Sequence, residues 1–148
     1  MREQIVLEAR RWLGTPYHHQ AVMRGVGVDC VGLIRGVGHA TGALPEDAEA
    51  WERFGGYSRI PNPRRMGEGM RLFLRPLEFE PQCGDIAWLE WRHDLPMHLA
   101  ILASDCRGDS TLIHSYSEAG GVVEHGLSPE WLARVKSWWR YPNLEGCL

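Results

Sequence analysis

Apolar and polar residues follow a helical period at the start of the chain. Ile5, Val6, Ala9, Trp12 and Leu13 fall on one face, and Arg2, Glu3, Glu8, Arg10 and Arg11 on the other, which predicts a helix over Gln4 to Leu13 that stops at Gly14. Thr15-Pro16-Tyr17-His18-His19 reads as an extended turn, because proline disfavours helix at the residue before it. Gly25 and Gly27 loosen the backbone ahead of Val28-Asp29-Cys30-Val31-Gly32-Leu33-Ile34, where Val31, Leu33 and Ile34 give the stripe of a helix packed in a core. Asp29 is placed to cap that helix. It is expected to run to about Thr41, with Gly36 and Gly38 allowing close packing against a sheet and Gly42 ending it.

Between Ala43 and Arg75 the pattern weakens. Leu44-Pro45-Glu46-Asp47 resembles a helix start, Trp51 to Gly56 its frayed end, and Ile60-Pro61-Asn62-Pro63 a rigid turn before a short helix over Gly67 to Phe73. This segment either covers one side of a site or is a surface elaboration. From Gln82 the period becomes two. Gly84 to Trp91, Met97 to Leu102, Thr111 to Tyr116 and Gly121 to His125 read as four strands, with a turn over Ser104 to Asp109. Ser128 to Val135 is a capped helix with proline in its first turn, and Trp138 to Pro142 a last strand or docked tail. Trp88, Trp91, Trp131, Trp138 and Trp139 read as core and rim packing.

The 148 residues suit one domain, 1–148, able to bury a core without metal or disulfide staples. With 44% apolar residues, a formal charge of -3 and scattered basic side chains, neither nucleic acid nor a membrane surface is an expected partner. No apolar run approaches a membrane span, and Met1-Arg2-Glu3-Gln4 leads straight into amphipathic sequence, so no signal peptide is expected. The cysteines at 30, 83, 106 and 147 show no CxxC pair and no finger-like spacing with the histidines. Reduced thiols, no metal and no cofactor are therefore expected.

Cys30 is placed in the first turn of its helix, where unpaired backbone N–H groups and the helix dipole favour a thiolate within reach at neutral pH. A small core cysteine would fit the same stripe. If the second and third strands form a hairpin centred near Cys106, His98 and His114 lie directly opposite each other on one face. Such a pair serves a thiol nucleophile: one ring takes the proton and the other group fixes that ring's tautomer. A hydrogen-bonded core histidine is the plainer reading of His98. His18, His19, His39, His93 and His125 have no comparable partner and read as surface or loop residues. Tyr17 lies on a loop, either aiming its hydroxyl at the site or half-buried as packing.

Five motifs in order resemble the NlpC/P60 cysteine peptidases, and within them a phage-type branch: Trp12-Leu13-Gly14-Thr15-Pro16-Tyr17, Asp29-Cys30-Val31-Gly32-Leu33-Ile34, Cys83-Gly84-Asp85-Ile86, His98-Leu99-Ala100-Ile101 and Ile113-His114. The resemblance covers most of the chain. It implies a papain-like α+β fold with N-terminal helices, the cysteine helix among them, packed on an antiparallel β-sheet, and hydrolysis of peptidoglycan peptide stems, typically between D-γ-glutamyl and a diamino acid. It also implies Cys30 as nucleophile, His98 as general base and His114 as its orienting group, with Tyr17 beside the thiol and Asp29 meeting the free amine of the substrate. The family usually carries serine after the nucleophile to help hold that amine; here the residue is Val31, which puts the preference for a free N-terminal alanine stem in question. The phage-type resemblance implies a component of a phage tail or gene transfer particle that opens the wall for DNA entry, with tail or baseplate proteins as partners. The particle would then deliver the enzyme to the periplasm without a leader. Two other readings share these residues: a structural hub or plug of a tail tip with a vestigial site, and a thiol acyltransferase.

Overall fold

A computed structural model describes residues 1–47, 49–50, 62–92 and 95–144 of the chain. The N-terminal helix α1 spans Arg2–Arg11, two residues earlier than the apolar stripe predicts, because the chain tightens at Trp12 and reverses at Gly14 (φ 82°). A small hairpin, β1 (Val22–Met23) and β2 (Gly27–Val28), turns through Gly25 (φ 79°) and delivers the chain to α2, Cys30–Thr41. Asp29 caps α2 by accepting from the Gly32 amide, and Gly42 ends it in the left-handed conformation (φ 71°), both as expected. Gly36 and Gly38 do permit close packing, but against the Trp12 ring and against Leu44 and Tyr141 rather than a sheet.

Asp47 accepts from the Ala50 amide, a capping geometry that agrees with the helix start read there, while the frayed end expected over 51–56 lies outside the described residues. The helix expected from Gly67 begins earlier: α3 spans Pro63–Phe73, because Asn62 caps it and Pro63 occupies its first turn, where a missing N–H costs nothing.

The remaining strands are β3 (Arg75–Pro76), β4 (Ile86–Arg92), β5 (Leu95–Ser104), β6 (Ser110–Tyr116), β7 (Gly121–Gly126) and β8 (Val135–Arg140), with α4 (Pro129–Arg134) before the last. They form one antiparallel sheet in the order β3-β8-β4-β5-β6-β7. Trp138-Trp139-Arg140 is thus a strand inside the sheet. The tiny β1, β2 and β3 carry too few residues for a period to show.

Alternation along the strands builds two cores. One face presents Ile86, Ile101 and Ile113 to Ile5, Ala9, Leu33 and Val37 of the helices. The opposite face carries Ala87, Leu89, Ala100, Leu102 and Leu112, covered by Leu127, Trp131, Val135 and Trp138. Asp85, wholly buried at the entrance to β4, fastens the first layer. It accepts two hydrogen bonds from Arg140 (2.9 and 2.8 Å) and one from Arg2 (3.0 Å), joining α1, β4 and β8.

Candidate active site

Cys30 is the first residue of α2 and is half-buried. Its own backbone amide and that of Val31 reach the sulfur, as a helix start provides, and so does the amide of Leu99 on β5. The peptide that follows His98 therefore lies against the thiol. The thiolate expected from the helix start is not the resting form, however. Desolvation and the adjacent Asp29 carboxylate outweigh the three amides and push the thiol up to about 12.

His98 and His114 come together, but not by direct opposition. The turn after β5 runs over 105–109, held by Asp105 accepting from the Arg107 and Asp109 amides, with Gly108 at φ 85°. Ser104 therefore pairs with Ser110 and Ile101 with Ile113. Continued along the strands, this register sets His98 level with Tyr116 and diagonal to His114. An offset of two keeps both rings on one face. Diagonal positions, about 7–8 Å apart, let two rings reach end to end where direct opposition would crowd them. His98 Nε2 lies 2.6 Å from His114 Nδ1.

A third imidazole continues the line. His114 Nε2 lies 2.7 Å from His125 Nε2, and His125 Nδ1 lies 2.9 Å from the Gly126 carbonyl oxygen. His125 is therefore no isolated surface residue, as the sequence reading had it. The strand pairing sets Leu112 opposite His125 and His114 opposite Val123, so 114 and 125 share a face at another diagonal. The turn at 117–120 between two alternating strands was the available signal. Trp131 packs edge-on to His114 (5.1 Å between ring centroids) and tilted on His125 (4.7 Å), and Tyr116 stacks on His114 (4.7 Å).

Burial leaves His98 and His114 uncharged. His98 is 5% exposed and His114 not at all. Desolvation, with Arg134 nearby, pushes His98 down to about 3; desolvation, with His98 and His125 nearby, pushes His114 down to about 2. Thiol and imidazole thus rest as a neutral pair. A charge-separating proton transfer must be coupled to the event that consumes the sulfur nucleophile.

The loop before α2 is fixed by backbone. Tyr17 is half-buried, its amide donating to the Gly120 carbonyl (3.0 Å), and its backbone bridges to Val28, two residues before Cys30. Asp29 is 2% exposed; its Oδ1 accepts from Gly32 and its Oδ2 from the Gln20 amide at 2.7 Å, with His19 Nδ1 at 3.9 Å. The carboxylate clamps the loop onto the helix. A Cβ at Gly32 would lie 2.2 Å from the Ala21 carbonyl oxygen, so only glycine admits that approach. Val31, half-buried, packs on the helix-side core.

No model of a protein family matches the chain, and no curated protein matches it. Solved structures do. A Staphylococcus aureus subsp. aureus Mu50 protein described as similar to lipoprotein, NLP/P60 family, superposes with a TM-score of 0.61 at 18% identity, over 95% of this chain. This chain spans 41% of that protein's length. The NlpC/p60 domain of peptidoglycan hydrolase SagA superposes with a TM-score of 0.57 at 22% identity, over 95% of this chain and 97% of that domain. The fold is the α+β papain-like arrangement expected, and its structural neighbours are NlpC/P60 proteins.

Proposed function

We propose that this chain is a peptidoglycan hydrolase, a cysteine endopeptidase that cuts cell-wall peptide stems. The observation that carries the reading is the meeting of Cys30 at a helix start with the amide of Leu99, the residue after His98, whose ring lies 2.6 Å from His114. A fold shared with a domain described as part of a peptidoglycan hydrolase supports the substrate class.

In this reading His98 takes the proton from Cys30 as the sulfur attacks the scissile carbonyl, and the Cys30 N–H helps stabilise the oxyanion. The leaving amine collects the proton from His98. Water, deprotonated by the same ring, then releases the acyl-enzyme. In this reading Tyr17, on the loop bridged to Val28, stands on the substrate side of the thiol, whereas Asp29, 2% exposed with its oxygens taken by the Gly32 and Gln20 amides, holds that loop instead of meeting the substrate amine. Delivery in a phage-like tail, which would make tail or baseplate proteins the partners, rests on the motif resemblance.

Purified protein incubated with muropeptides should yield cleaved stems by mass spectrometry. Cys30→Ala should abolish them while thermal melting stays within a few degrees, and His98→Ala should also silence the reaction. Retained cleavage by Cys30→Ala would overturn the assignment. Tail delivery is tested separately, by co-sedimentation of the chain with particles from producing cells. Its absence there would remove delivery and leave the peptidase standing.

One observation favours a second reading, a structural plug with a vestigial site: both the thiol and its base rest neutral. Alkylation of Cys30 no faster than that of half-buried Cys83 or exposed Cys106 would support the plug.

A further inference from the structure

The line of imidazoles ends on a group whose polarity is fixed. A backbone carbonyl only accepts, so the Gly126 oxygen, 2.9 Å from His125 Nδ1, places the proton of a neutral His125 on that nitrogen. His125 Nε2 then carries a lone pair, and His114 Nε2, at 2.7 Å, donates to it. His114 Nδ1 is left as an acceptor and takes the Nε2–H of His98 at 2.6 Å. By elimination the lone pair of His98 is on Nδ1.

Each step follows from the last because a neutral imidazole has one donor and one acceptor. We propose that His125 is a positioning residue: through His114 it holds His98 in the tautomer whose Nδ1 accepts the Cys30 proton. This rests on the reading of Cys30 and His98 as nucleophile and base. When His98 takes that proton at Nδ1 it keeps its Nε2–H on His114, so the hydrogen bond between the rings survives into the charged state. The Trp131 and Tyr116 rings flank the line, and the Arg134 guanidinium sits 4.7 Å over the centroid of Trp131. Only His125, half-buried at the rim, stands next to the exposed Gly126.

The polarity is read directly by long-range ¹⁵N–¹H correlation on histidine-labelled whole protein near pH 7. His98 and His114 should show pyridine-like Nδ1 and protonated Nε2, and His125 the reverse. His125→Leu removes the acceptor for His114. It should give His98 a mixture of tautomers and slow Cys30 alkylation by iodoacetamide about 10-fold or more, a part of the roughly 100- to 10,000-fold that a positioned general base supplies. His125→Gln, whose Oε1 can accept from His114, should restore the His98 pattern and most of the rate. A His98 protonated at Nδ1 in the unaltered protein would overturn the proposal, and so would a His125→Leu protein with the His98 tautomer and alkylation rate unchanged. If His125→Leu does not fold, the spectrum of the unaltered protein and the His125→Gln rate decide. None of these measurements uses a substrate, so a protein that cleaves no muropeptide but shows the expected tautomers would lose its assigned reaction and keep the relay.

Discussion

Asp85 and His114 are both wholly enclosed by the same sheet, yet the protein satisfies them in opposite ways. Around Asp85 a charge is met by charges: two guanidiniums and the Gln82 amide occupy the carboxylate, and both arginines keep part of their side chains in water. Around His114 burial keeps His98 and His114 uncharged, and in the polarity proposed above each ring donates one hydrogen bond, accepted by the next ring or, at the end of the line, by the Gly126 carbonyl. The first arrangement has nothing to give up without breaking. The second can take a proton at one end while keeping its hydrogen bonds, which suits a cluster that does chemistry, whereas the first suits a staple.

The largest expected effect comes from breaking the staple. Asp85→Asn leaves Arg140 and Arg2 without their counter-charge. Removing one partner of a buried pair costs about 3–5 kcal/mol, and the lower end applies because both guanidiniums reach solvent. For a domain of this size that is a fall in melting temperature of roughly 6–12 °C. Alkylation of Cys30 in the protein that remains folded should be unchanged. A melting temperature within a degree or two of the parent would show that Asp85 is no staple, and an altered thiol would show that the two clusters are coupled.

Acid should act on the imidazole cluster first. His98 and His114 have native values near 3 and 2, below the unfolded value of about 6.5, so the unfolded chain binds protons that the native chain refuses. The cluster is therefore neutral in its effect above about pH 6.5. Stability falls as pH drops below that value, by up to about 1.4 kcal/mol per pH unit for each buried ring, or about 2 kcal/mol per ring between pH 6.5 and 5. His39, pushed down by burial and by Arg35, adds to the same sign. Urea titrations across this window should show the loss, and His98→Phe should flatten it. An unfolding free energy independent of pH from 6.5 to 5 would mean that the cluster opens to water and is not the closed relay described.

The helices were legible because their signals are local: Asp29, Ser128 and Gly42 act through neighbouring backbone, whereas Asn62, read as part of a turn, caps α3, which begins four residues ahead of the start expected at Gly67. The four long strands were legible from their alternation. Register was not, because it depends on the conformation of a turn. Reading Cys106 as the centre of the hairpin missed the five-residue turn that Asp105 organises, and the error was two residues. An error of two preserves the face, so the pairing of His98 with His114 survived a mistaken reason. Had it been one, the rings would have pointed to opposite sides of the sheet. His125 was missed because its partner lies across a second turn. The resting state of Cys30 was misjudged because desolvation depends on what the fold packs around a sulfur, and the residues before and after it do not reveal that.

The smallest effect tests how the cysteine helix is set against the histidine strand. Ser115 follows His114 on β6 and faces the other side of the sheet, where its wholly buried Oγ donates to the Val28 carbonyl at 2.8 Å. Val28 leads directly into Asp29 and Cys30, so this bond links the strand carrying the orienting ring to the helix start carrying the thiol. Ser115→Ala should cost only about 1 kcal/mol, the usual net worth of one hydrogen bond, since the Val28 carbonyl keeps the His18 amide at 3.2 Å. A purely structural bond would change stability alone. If it sets the approach of Cys30 to β5, alkylation of Cys30 should slow a few-fold while Cys83 and Cys106 react as before, and the imidazole cluster, whose rings lie on the other face of the sheet, should leave the acid sensitivity between pH 6.5 and 5 where it was. Unchanged Cys30 reactivity at the reduced stability would assign the spacing of thiol and base to the Asp29 clamp and the Leu99 amide instead.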